Sequence, residues 1–194
     1  METLIRQAMD EGIALRQSCR DTLTAPLLKI AETMCTCLKN GGKILVCGNG
    51  GSAADAQHFA GELVNRFEMN RPGLAAIALT HDASVITSIA NDFSFDDVFA
   101  RQVQALGRPR DILLAISTSG SSPNIIRAIR AATERGMQSI ALTGKDGGEL
   151  RDNSDVHIHL NIAHPSTPRV QEMHITCLHI VCTLVDQTLF GGKT

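Results

Sequence analysis

The sequence predicts an α/β fold: a five-stranded parallel sheet with helices on both faces and extra helices ahead of it at the N-terminus. Three observations carry the prediction. Short, almost uniformly apolar runs recur along the chain and read as strands buried on both faces. Segments of helical periodicity separate them, as crossovers between parallel strands require. Two of the strand-to-helix joins are rich in Gly or Ser, at Gly48–Ser52 and at Ser117–Ser122.

In chain order, residues 4–23 and 25–38 carry helix-period apolar positions and end at Asn40-Gly41-Gly42. A first strand over 43–47 leads through a Gly-rich turn into a helix over 52–67. A second strand occupies 74–79, and helical segments follow near 83–90 and 96–106. The third strand, 111–117, feeds a helix over 123–135. A fourth strand over 139–144 and a shorter fifth over 156–160 precede a closing helix over 168–190. Residues 1–40 stand outside this alternation, so they serve either as an oligomer interface or as a cap on the sheet.

The chain of 194 residues is most simply one domain, long enough to bury a core. Hydrophobic residues make up 43% and charged residues 20%, a soluble globular balance. A net charge of -2 with dispersed basic residues argues against nucleic acid as a partner. With no Trp or Tyr, no platform exists for stacking several bases. The six cysteines form no CxxC pair and lie mainly in apolar periodic runs, which reads as buried, reduced thiols in the cytoplasm. The first residues carry charges of both signs and no apolar stretch of signal-peptide length. No uninterrupted apolar run approaches a membrane span.

The loop Ser117-Thr118-Ser119-Gly120-Ser121-Ser122 places five hydroxyls, one Gly and no charge between a strand and a helix. Ser122 stands where an N-cap belongs and Pro123 at the first helical position. A capped helix needs one such hydroxyl; five indicate an anion held by hydroxyls, backbone N–H groups and the helix dipole. No GxxxxGK[ST] motif is present, so the phosphate is a handle rather than the transferred group. The other loop, Gly48-Asn49-Gly50-Gly51-Ser52, does not fit GxGxxG, which weakens a dinucleotide reading, but its glycines admit a ligand close to the backbone. On the helix after it, His58 and Glu62 are four residues apart and share a face. On the last helix Gln171 and His179 are eight apart, close enough in angle to face one partner, while His174 points to the other side. Each of these is singly more often an ordinary helix residue, and residue patterns alone give a sugar-phosphate or nucleotide-phosphate binder.

Long stretches then carry a resemblance that runs nearly end to end: CGNGGSAADAQHFAGELVNRF, TSIANDFSFDDVF, DILLAISTSGSSPNII, ALTGKDGGEL and RVQEMHITCLHIVCTLVDQTLF. The chain resembles the phosphoheptose isomerases, which convert sedoheptulose 7-phosphate and belong to the sugar isomerase (SIS) domain superfamily. The resemblance implies the SIS fold, a flavodoxin-like sandwich, over residues 1–194. It implies that Asn49, Gly50, Gly51 and Ser52, with Asn91 and Asp92, line the substrate pocket, and that Ser117, Thr118, Ser119 and Ser122 hold the phosphate. His58, Glu62, Gln171 and His179 match the family's zinc ligands, one ion per subunit, with Glu62 and Gln171 also contacting substrate. Glu62 is the candidate base and His179 the candidate acid. A homotetramer is implied, with residues 1–40 at its interfaces and sites built where subunits meet. The product serves heptose precursors of lipopolysaccharide core or other surface glycans. A related branch binds the bacterial replication initiator without isomerase chemistry; its position matching His179 is not His, so His179 here favours the enzyme. One departure is Pro168, where some enzymes of the family carry an acidic residue.

Overall fold

The computed structural model describes residues 1–192. Five parallel strands, β1 (Ile44–Gly48), β2 (Ala76–Ala78), β3 (Ile112–Ser117), β4 (Gln138–Gly144) and β5 (Ile158–Ile162), form one sheet in the order β2-β1-β3-β4-β5. β1, β3 and residues 139–144 of β4 are buried at every position, which is why they read as continuous apolar runs. The edge strand β2 is shorter than the apolar run around it. β5 lies two residues later than its sequence pattern suggested: pairing begins at Ile140↔Ile158, while His157 is used in a pair of hydrogen bonds with the backbone of Ser139.

Helices cover both faces. On one lie α1 (Glu2–Lys39), α2 (Gly51–Val64) and α6 (Thr167–Phe190), whose apolar sides meet Ile44, Val46, Ile112, Leu114 and Ile140. On the other lie α3 (Ala83–Asp92), α4 (Ala100–Leu106) and α5 (Pro123–Glu134), which meet Leu45, Cys47, Leu113, Ala115 and Ala141. Alternate residues of each strand thus serve alternate cores. All six cysteines are free and buried. α6 has the length and mean hydropathy (1.3 over its most apolar 18 residues) of a membrane span, yet it packs against α1 and α2 as a core helix.

The N-terminal region differs from expectation. One 38-residue helix replaces the two anticipated, with Pro26 inside it. A mid-helix proline removes a hydrogen bond and crowds the preceding turn, at roughly 3 kcal/mol. Here Leu15, Cys19, Leu23, Leu27 and Ile30 form one buried seam on both sides of Pro26, and their packing on α6 carries the helix through. The C-terminal half of α1 caps the sheet through Ile30 and Met34. The N-terminal half leaves Leu4, Ile5, Met9 and Ile13 exposed.

Candidate active site

The connection from β1 passes through α2 on one face, and that from β3 passes through α5 on the other. The crevice between diverging crossovers opens at the carboxyl ends of β1 and β3, where open parallel sheets bind ligands. The Gly-rich loop follows β1 and the Ser-rich loop follows β3, so both candidate loops flank this crevice. A reciprocal pair of 2.9 Å hydrogen bonds between the Asn49 and Asn124 side chains ties one loop to the other. Asn124 was not singled out from the sequence. A buried amide in the first turn of α5 is a readable hint that it has a partner, but not which.

In the Ser-rich loop, Ser122 is the N-cap of α5 and Pro123 its first residue, yet the Ser122 hydroxyl makes no capping bond. It turns to Ser117 Oγ, 3.2 Å away, and Ser119 Oγ lies 3.4 Å from the same atom. Gly120 N–H donates to Ser117 Oγ (3.2 Å) and Ser121 N–H to Ser119 Oγ (3.3 Å). Three hydroxyls therefore gather at the N-terminus of a twelve-residue helix with no cation among them, a setting for an anion. The turn after β4 clasps the loop from behind: Leu150 N–H donates to Gly120 C=O and Glu149 N–H to Ser121 Oγ. Gly120 has φ +66°, and a Cβ there would run into the Gly147 carbonyl. Only glycine meets both demands.

A second grouping lies where α2 meets α6. His58 Nε2 stands 3.0 Å from His179 Nε2 and 3.2 Å from Glu62 Oε1. The Phe67 ring stacks on His179 with centroids 5.5 Å apart and planes inclined by 28°. Asp55, one turn before His58, keeps one buried carboxylate oxygen without a partner among the described residues. Burial pushes its carboxyl pKa up, and His58 opposes the shift. Neither Phe67 nor Asp55 was singled out from the sequence, since an aromatic near a helix end and an acid on a solvated turn are ordinary features.

Gln171 sits elsewhere. Its amide lies against Gly51, so close that a Cβ at Gly51 would be 2.6 Å from Nε2. Eight residues separate Gln171 from His179, about 12 Å at 1.5 Å per residue. The helices run side by side, so Gln171 marks the Gly-loop end of their seam and His179 the cluster end. Ser52 is buried at the start of α2. Asn91 and Asp92 are exposed at the end of α3 and bond to each other at 2.8 Å. Thr118 is half-buried within the Ser-rich loop.

Among the described residues, no three His, Cys, Asp or Glu side chains are already spaced as a metal cluster. The donor set nevertheless suits zinc. Two imidazoles and a carboxylate are common zinc ligands, and ligands about 2.0–2.1 Å from a tetrahedral ion lie roughly 3.3 Å apart. The two distances from His58 Nε2, 3.0 Å to His179 and 3.2 Å to Glu62, are close to that spacing.

The SIS domain model matches residues 9–144. The phosphoheptose isomerase of Aromatoleum aromaticum is 55% identical over 190 residues, 96% of this chain and 95% of that protein. The solved phosphoheptose isomerase of Neisseria gonorrhoeae superposes with a TM-score of 0.90 at 47% identity, covering 96% of this chain and 98% of that one. That of Francisella tularensis gives 0.91 at 43%, covering 95% and 97%. Likeness of this degree over nearly both full lengths goes beyond a shared fold, and the chain belongs to the phosphoheptose isomerase family of SIS domain proteins.

Proposed function

We propose that this chain interconverts D-sedoheptulose 7-phosphate and D-glycero-D-manno-heptose 7-phosphate at the β1/β3 crevice, supplying heptose for surface glycans. The observation that carries the reading is a seam that starts at the Gly-rich loop, tied by Asn49 and Asn124 to the uncharged hydroxyl loop, and ends in an imidazole flanked by a carboxylate and a second imidazole. An extended sugar held by its phosphate at Ser117, Ser119 and Ser122 would lie toward that seam, with its reacting carbons at the far end.

Moving the carbonyl from C2 to C1 takes a proton from C1 and delivers one to C2, while O2 gains a proton and O1 loses one, through an enediol. Glu62 is the base that takes the C1 proton, and His179 the acid that serves the oxygens, held flat by Phe67. His58 holds both partners in place. Zinc, one ion per subunit, would be held by His58, Glu62 and His179, with Gln171 joining only by swinging from Gly51. When bound, zinc supplies a Lewis acid for the developing oxyanion. The working form is a cytoplasmic homotetramer, its interfaces including the exposed row on α1.

A coupled assay of the purified chain with sedoheptulose 7-phosphate and shorter ketose phosphates, with and without a zinc chelator, tests this. Turnover of the heptulose that chelation removes supports the zinc isomerase. No turnover with any ketose phosphate sinks it and leaves a non-catalytic adaptor.

A further inference from the structure

Arg71, in the Asn70-Arg71-Pro72-Gly73 segment between α2 and β2, has a side chain only 1% exposed, and its partner Asp186 on α6 is 2% exposed. Burying a guanidinium is costly unless its donors are used and a counter-charge is close. Both conditions hold. Nε donates to Asp186 Oδ1 at 2.7 Å. Nη2 donates to the Glu62 carbonyl at 2.8 Å, and Nη1 to the carbonyls of Leu63 at 2.7 Å and Pro72 at 3.1 Å.

The carbonyls of Glu62 and Leu63 belong to the last turn of α2, which the helix itself leaves unpaired. One end of the guanidinium fork therefore grips the helix end that carries Glu62. The other end grips α6 at Asp186, seven residues beyond His179 and so on nearly the same side of that helix. Burial pushes the Cys182 thiol up to about 12, the charges of Glu62 and Asp186 add to the shift, and Arg71 opposes it.

We propose that Arg71 and Asp186 are positioning residues for the isomerase site: their clamp fixes the backbone at Glu62 relative to the turn of α6 that carries His179. The inference rests on the assignment of Glu62 and His179 as the proton-moving pair. Stability alone is a poor reason for the arrangement, since apolar residues of similar volume often replace a buried ion pair without loss. Such residues would not hold the carbonyls of Glu62 and Leu63.

Two variants separate positioning from folding. R71K keeps a cation opposite Asp186 but cannot reach the carboxylate and both carbonyls together. R71M/D186L removes both charges and leaves neither buried alone. For each full-length variant, the folded fraction is measured by circular dichroism, and kcat and KM with sedoheptulose 7-phosphate. The expected result is a fall of about 10–100-fold in kcat per folded molecule with KM unchanged. A structural role alone lowers the folded fraction and leaves kcat per folded molecule as in the wild type, and that result overturns the proposal. D186N, which keeps the shape and one acceptor oxygen, is read the same way if either variant does not fold. E62Q is the control. Full activity in E62Q removes the site assignment itself, whereas an inactive E62Q beside wild-type kcat in R71K removes only the clamp.

Discussion

His58 and Glu62 are legible as a pair because four residues make one helical turn; His179, 121 positions from His58, is not. Periodicity placed it on the face opposite His174, and only the packing of α2 on α6 brings the two imidazoles together. The same holds for Asn124 and Arg71, whose partners Asn49 and Asp186 lie far away in the chain. The place of the hydroxyl loop between β3 and α5 was legible outright, because an apolar run ends at Ser117 and a helical pattern begins at Pro123. Two predictions belong at this scale. E62Q and H179Q each lower kcat by about 10²–10⁴-fold with the fold intact, the usual loss for a positioned acid or base, as steady-state kinetics and circular dichroism would show. S119A and S122A raise KM for the 7-phosphate sugar with much less effect on kcat. An unchanged KM in both would remove the loop from the phosphate site.

Elements were legible wherever burial made a pattern: all five strands and the closing helix lie within about two residues of where periodicity put them. The miss at Pro26 shows the limit, since a local breaker is outweighed by a seam formed with a helix far along the chain. Pro168, the departure from family pattern, lies in the first turn of α6, where a missing N–H costs nothing. His174 fixes α6 to the end of β4 through Nε2 and the Thr143 carbonyl, 2.9 Å apart. Burial lowers its pKa to about 4, while the hydrogen bond to Thr143 opposes the shift. Its unfolded value is near 6.5, so the unfolded chain takes up the proton first as pH falls. The contribution is complete above pH 6.5 and lost toward pH 4, by about 3 kcal/mol. Denaturant unfolding of the wild type between these pH values should show that slope, and H174F should lose about one proton's worth of it. An equal slope in both would mean that His174 is not buried neutral. At Gly120, alanine meets both a left-handed backbone and the Gly147 carbonyl, so G120A should displace the loop and raise KM more than either serine variant.

At the scale of the whole molecule, sheet order decides where the site lies, and order was the least legible feature. Hydrophobic runs establish that parallel strands exist, while the β2-β1-β3-β4-β5 arrangement follows from how crossovers choose faces. Leu4, Ile5, Met9 and Ile13 line the free end of α1. Each is a little over half exposed, so covering it would contribute about 1–2 kcal/mol, which suits an interface between copies of the chain. I5E/I13E should therefore lower the mass measured by light scattering below that of the wild type without changing helix content; an unchanged mass would put the interface elsewhere. On the proposed mechanism Glu62, beside His58, moves the proton that turns the ketose into the aldose. Proton NMR of sedoheptulose 7-phosphate with wild type and E62Q tests it most directly. The aldose 7-phosphate should appear with the wild type and not with E62Q. Aldose formation at equal rates by both, or by neither, would contradict it.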